Sequence, residues 1–170
     1  MNRRRPDRGI PNKILLAGEK GTIVKKWGRK VPVCIVYPNK YYIGMSNLAV
    51  HILYKTLNDI TEVVCERAFF DEVREVLSLE SGKPLSSFEL ILFTISYELD
   101  YINIPKILRF ASIHTFSEER KEKEPLIVAG GICVMANPEP LARFFDIFLL
   151  GDVEAVIPLF VEKYLQERDK

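Results

Sequence analysis

Between Val31 and Asn58 the chain passes from an unbroken apolar run to a helical alternation of apolar and polar residues. Val31, Val33, Cys34, Ile35 and Val36 have the pattern of a strand covered on both faces. Pro38 and Asn39 end that strand, Gly44 closes a turn, and Ser46 or Asn47 can cap a helix from Ser46 to Asn58. On this helix Met45, Ala49, Ile52, Leu53 and Leu57 predict a sheet-facing stripe. Asn47, His51, Lys55 and Asn58 fall on the water side, so His51 reads as a solvated residue.

The same patterning continues downstream. Glu62 to Phe70 predicts a strand centred on Val63–Cys65, and Asp71 caps a short helix to Leu77. Leu77 to Glu80 is a candidate further strand before the Ser81-Gly82-Lys83-Pro84 turn. Leu90 to Ser96 is a buried strand, and Pro105 suits the first turn of a helix from Asn103 to Ser112. Ser117 to Glu124 has no apolar stripe and reads as an exposed connector. Leu126 to Ala129 predicts a strand ending at Gly130-Gly131, and Asn137-Pro138 opens a short helix through Phe144. Asp146 to Leu150 is the last strand. Gly151-Asp152 then starts a helix whose stripe is Val153, Ile157, Phe160 and Tyr164, with Pro158 kinking it or delaying its start. Ahead of all this, residues 13–30 read as an irregular wrap with a candidate edge strand at Gly21–Lys25.

Strands alternating with helices across short connections predict an α/β fold: a mostly parallel five-stranded sheet with helices on both faces. The turns at 41–44, 96–103, 130–137 and 151–154 then share one edge of the sheet. Ligands of such sheets sit at the carboxyl ends of the strands. The candidate binding residues there are Asn39, Tyr41, Tyr42, Gly44, Ser96, Tyr97, Glu98, Tyr101, Asn103, Gly130, Gly131, Gly151 and Asp152.

Composition narrows the class. The chain has 170 residues, 48% hydrophobic and 28% charged, as in a soluble globular domain. It lacks an apolar run of the roughly 20 residues that a membrane-spanning helix needs, and its N-terminus lacks a signal-peptide core. Cys34, Cys65 and Cys133 are odd in number and far apart. They predict buried structural thiols in a reducing, cytoplasmic setting. Residues 1–30 form a basic leader with ten basic and two acidic residues, a net of +8, against −7 for residues 31–170 and +1 overall. A basic arm on an acidic body is a candidate RNA contact or a solvated tail. There is no Gly-x-Ser-x-Gly elbow, phosphate loop or dinucleotide fingerprint, and His114 has no evident partner, so hydrolase and dehydrogenase chemistry find no support.

Several phrases occur in register along the chain: Tyr42-Ile43-Gly44-Met45-Ser46-Asn47-Leu48, Ser78-Leu79-Glu80-Ser81-Gly82-Lys83-Pro84-Leu85, Tyr97-Glu98-Leu99-Asp100-Tyr101-Ile102-Asn103, Gly130-Gly131 and Asn137-Pro138-Glu139-Pro140-Leu141. In them the chain, from about Lys13 to Leu165, resembles the N-terminal, cobalamin-binding-like domain of radical S-adenosylmethionine proteins, often labelled Fe–S oxidoreductases. Gly151-Asp152-Val153-Glu154 is similar to that family's Gly-Asp/Glu-Gly-Glu step, with Val153 in place of a glycine.

The resemblance implies a flavodoxin-like sheet and a polypeptide that continues past Lys170 into a catalytic barrel. That barrel would carry the Cys-x-x-x-Cys-x-x-Cys motif, the 4Fe–4S cluster and S-adenosylmethionine. The motif is absent from this chain, so no cleavage of S-adenosylmethionine is expected of it alone. Cobalt-ligating relatives use Asp-x-His-x-x-Gly, whereas here the matching run is Asn39-Lys40-Tyr41-Tyr42-Ile43-Gly44. A phenol with a pKa near ~10 is a poor cobalt ligand, so histidine-on cobalamin binding is excluded. The implied function is an accessory domain that packs on or gates the barrel without cobalamin and is not itself an enzyme. A base-off corrinoid or nucleotide module, with Tyr41, Tyr42, Tyr97, Glu98, Tyr101 and Gly130 lining its pocket, is the second expectation. An RNA-contacting domain is the third.

Overall fold

The computed structural model describes residues 12–72 and 75–168. Five strands form one parallel sheet: β1 (Val31–Tyr37), β2 (Val63–Phe69), β3 (Leu90–Thr94), β4 (Leu126–Gly130) and β5 (Ile147–Phe148). Their spatial order is β2-β1-β3-β4-β5, the flavodoxin-like order, and every pairing is parallel. Six α-helices accompany them among the described residues: α1 (Asn12–Ala17), α2 (Tyr41–Met45), α3 (Leu48–Asp59), α4 (Ile104–Phe110), α5 (Ile132–Ala136) and α6 (Val153–Arg168).

The apolar run that begins the sequence pattern becomes β1, all seven residues of which are buried. Alternation along the strands divides the core in two. Val31, Val33, Ile35, Leu90, Leu92 and Val128 meet Leu53 and Leu57 of α3 and Ile157 and Val161 of α6. On the other face Cys34, Val36, Ile91, Phe93, Ile127 and Ala129 meet Ile104, Ile107 and Leu108 of α4, Cys133 and Val134 of α5, and Phe145. The expected α/β sheet covered on both faces is therefore present.

Several local expectations are corrected. The helix after β1 is two helices, because the chain breaks at Ser46 and Asn47 caps the second one by accepting from the Ala49 N–H at 2.9 Å. Asn58 is buried instead of solvated. Its carboxamide donates to the Cys65 carbonyl at 3.0 Å and accepts from the Cys65 N–H at 3.2 Å, which satisfies the outer side of edge strand β2. No strand forms at Gly21–Lys25. Of the helix expected at Asp71–Leu77, residues 73 and 74 lie outside the described residues, and the rest is not helical. Glu72 has φ 59°, a left-handed value, and Leu77 makes an isolated bridge with Pro84 that replaces the candidate strand.

The helix expected after Asn137 forms earlier, as α5, and Glu139–Leu141 makes only a 3-10 turn. The last strand shrinks to Ile147–Phe148, and Pro158 lies inside α6 without delaying its start.

The early start of α5 depends on Gly131. Its φ is +111°, and a Cβ there would lie 2.5 Å from the Ile95 carbonyl oxygen. Both the strain and the clash are against backbone, which cannot step aside. Gly131→Ala should therefore lower the unfolding free energy by about 2 kcal/mol or more, read from urea denaturation.

Candidate functional site

Side-chain amides clip the loops after β1 and β3 together at the carboxyl edge. The Asn39 Nδ2 donates to Asp100 Oδ1 at 2.7 Å while Asn39 Oδ1 accepts from the Lys40 N–H at 2.8 Å. Asn103 Nδ2 donates to the Pro38 carbonyl at 2.9 Å, and Asn47 Nδ2 donates to Ser96 Oγ at 2.7 Å. Asp100 is only 3% exposed, and burial raises its carboxyl pKa against the pull of Asn39. Of the thirteen sequence-predicted residues, Asn39, Ser96 and Asn103 thus have structural partners in the clip.

Tyr41 has one too. Its hydroxyl donates to Glu19 Oε1 at 2.6 Å, and burial together with that carboxylate pushes its pKa up to about 12. Glu19 also receives Thr22 Oγ1 at 2.8 Å and Arg67 Nη2 at 2.7 Å. Arg67 in turn donates through Nε to Glu80 Oε1 at 2.7 Å, and its guanidinium lies 4.3 Å from the Tyr54 ring centroid. The side chains of Arg67, Glu19 and Glu80 are 3%, 8% and 1% exposed. Burial acts to raise the Glu19 pKa. Hydrogen bonds from Arg67, Tyr41 and Thr22 outweigh it and hold the carboxyl below its ordinary value.

This buried network was not read from the sequence. Its signal was Glu66-Arg67 inside an otherwise apolar strand, two charges that must find partners if the strand is buried. Glu66 finds Trp27 Nε1 at 2.7 Å and Ser81 Oγ at 2.6 Å. The Ser78–Leu85 phrase therefore has a structural role: Glu80 and Ser81 satisfy the two charged residues of β2.

Two glycines at this edge are required by packing. A Cβ on Gly44 would lie 2.5 Å from the Phe69 ring and 3.0 Å from that of Tyr37. On Gly151, at φ +130°, it would lie 2.8 Å from Val156. An apolar cavity of about 130 Å³ lies at the carboxyl ends of β3 and β4, between α3, α5 and α6. It takes Gly130, Gly131 and Gly151 from the predicted set and none of its tyrosines. Tyr42, Tyr97 and Glu98 are exposed, Tyr101 packs against the core on the opposite face, and Asp152 is exposed at the start of α6.

The turn after β1 does not fit a cobalt site. Tyr41 is committed to Glu19, Asn39 to Asp100, and the space over Gly44 is filled by Phe69 and Tyr37. Cys34, Cys65 and Cys133 are free and buried, and burial raises all three thiols. Among the described residues no cluster of three or more His, Cys, Asp or Glu could hold a metal ion. No helix there is long and apolar enough to cross a membrane. The basic leader is partly structural: the Lys25 ammonium donates to the carbonyls of Asn58 in the last turn of α3 and of Ile60 (3.3 Å) and Val63 (3.1 Å) after it, and Lys30 donates to that of Thr61. Lys20, Lys26 and Arg29 are exposed. His114 pairs with Glu124 through Nδ1 at 2.7 Å.

A family model described as "Radical SAM proteins, N-terminal" matches residues 49–170, beginning inside α3. A relative from Methanocaldococcus jannaschii, named Uncharacterized protein MJ0966, is 35% identical over 122 residues, which are 72% of this chain and 24% of the relative. The chain thus spans about a quarter of that relative's length. No solved structure matches it.

Replacing Arg67 by Met would leave Glu19 and Glu80 buried without their cation. The expected cost is about 3–5 kcal/mol in a denaturant titration. The acid limb of stability gives a second check. Because the Glu19 carboxyl is depressed in the fold, its contribution is present above the ordinary value of 4.5 and is lost as pH falls through the lowered one. Glu19→Gln should flatten that loss in unfolding midpoints followed from neutral pH to about pH 3.

Proposed function

Because the chain belongs to the radical SAM proteins as their N-terminal domain, we propose that it is an accessory domain whose carboxyl edge packs on the catalytic domain of the same polypeptide. It carries no cobalamin of its own and cleaves no S-adenosylmethionine alone.

One observation carries this reading. Thirteen large hydrophobic side chains are exposed among the described residues, and nine of them belong to the carboxyl-edge connections: Tyr42, Ile43, Leu48, Tyr97, Leu99, Ile102, Ile132, Met135 and Leu150. Leu99 is 86% exposed. Exposed apolar side chains gathered on one surface mark an interaction site, since each stands to gain about 1.5–3 kcal/mol on full burial. The loops after β1 and β3, which hold six of the nine, are clipped together by Asn39, Asn47 and Asn103, so that part of the face is pre-organised. A mobile gate would need these clips to open, and packing is the role their geometry favours.

In the polypeptide that includes the catalytic domain, Leu99→Glu should loosen the contact between the two parts. Calorimetry should then resolve a separate transition for the N-terminal domain, where the parent shows one. A single unchanged transition would count against the interface. Hydroxocobalamin titrated into the same protein should show no spectral shift; a shift together with retained corrinoid would reverse the cofactor-free reading.

A further inference from the structure

We propose that the apolar cavity at the ends of β3 and β4 is a socket that receives one large apolar side chain from the catalytic domain of the same polypeptide. This rests on the carboxyl edge being the interdomain face, and it names the point where that face is keyed.

The walls of the cavity are Leu53 of α3, Leu92 and Val128 of the sheet, and Ile157 of α6, all buried. Its mouth is bordered by Ile132 and Met135, which are 63% and 50% exposed and belong to the apolar edge. Among the described residues Thr94 is its only polar lining side chain. A phosphate, a nucleotide or any charged group entering it would lose hydration without a partner. Its volume of about 130 Å³ is close to the ~150 Å³ of an apolar cavity that accepts a benzene ring. One Phe, Leu or Met side chain therefore fits.

The same polypeptide is the natural source. The matched family describes an N-terminal domain, and the chain accounts for 24% of its archaeal relative, whose remaining length supplies a partner at high effective concentration. Interfaces concentrate their energy in a few apolar anchors seated in desolvated pockets, ringed by contacts that exclude water. Ile132 and Met135, exposed at the cavity, supply part of such a ring.

Hydrogen exchange on the polypeptide with its catalytic domain tests the socket. Ala49 lines the cavity from the first turn of α3, so Ala49→Phe places a ring inside it. Exchange in α5 and in the first turn of α6 should accelerate by about tenfold or more, with the central amides of β1 unchanged. Leu99→Glu, on the loop after β3 and outside the cavity, should do the same by breaking the interface. Acceleration by Leu99→Glu but not by Ala49→Phe overturns the socket and leaves the interface standing. No acceleration by either removes the interface, and the socket with it.

A second measurement does not depend on Ala49→Phe folding. In Met135→Cys, a short photoreactive cross-linker on the new thiol should capture an apolar residue of the catalytic domain that the parent polypeptide, labelled in parallel, does not, Cys34, Cys65 and Cys133 being buried. Cross-links confined to α3, α5 and α6, or a small molecule recovered from the cavity, would overturn the proposal.

Discussion

The guanidinium of Arg67, held between Glu19 and Glu80 at 2.7 Å on each side, is the interaction on which the outer half of the molecule depends. β2 is the edge of the sheet, and an edge strand presents backbone groups and side chains that need partners. Arg67 recruits the segment before β1 through Glu19 and the segment after β2 through Glu80, and Glu19 in turn fixes Tyr41 at the exit of β1. One buried cation thus connects the wrap, the edge strand and the first carboxyl-edge loop. A buried ion network of this kind contributes less to stability than to defining a single arrangement, because desolvation offsets most of the attraction.

With that edge closed, most of the exposed large hydrophobic side chains among the described residues lie in the carboxyl-edge connections. The loops there after β1 and β3 are cross-tied by amides, and the glycines at 44 and 131 are required by close packing. Of the edge tyrosines, Tyr41 is bonded to Glu19 and Tyr101 packs against the core, while Tyr42 and Tyr97 stay exposed. Tyr41, at the exit of β1, serves the Arg67 network through Glu19. The turn after β1 is thus a structural joint between the wrap and the edge strand.

Several features of the fold were legible from residue order. The β-branched run Val31–Val36 could be satisfied only by burial on both faces, and alternation with helical stripes then requires parallel crossovers. Local boundaries were less legible wherever a distant contact decides them. Asn58 looked polar and outward because helical periodicity cannot see the unpaired Cys65 backbone on an adjacent edge strand. The residues after Phe70 suit a helix by composition, yet the chain must turn there to bring Leu79 and Glu80 back along β2.

The sequence by itself determined the two-faced α/β sheet, the candidate edge, the absence of a cluster motif and the likeness to the N-terminal domain of radical SAM proteins, because these follow from local pattern and chemistry. Only the tertiary structure decided what the edge residues do. Tyr41 meets Glu19 across 22 positions, Asn39 meets Asp100 across 61, and the cavity forms where α3, α5 and α6 leave space over β3 and β4. Whether a polar side chain faces a ligand or a neighbour depends on which distant group satisfies its hydrogen bonds, and that is fixed only when the strands are laid side by side.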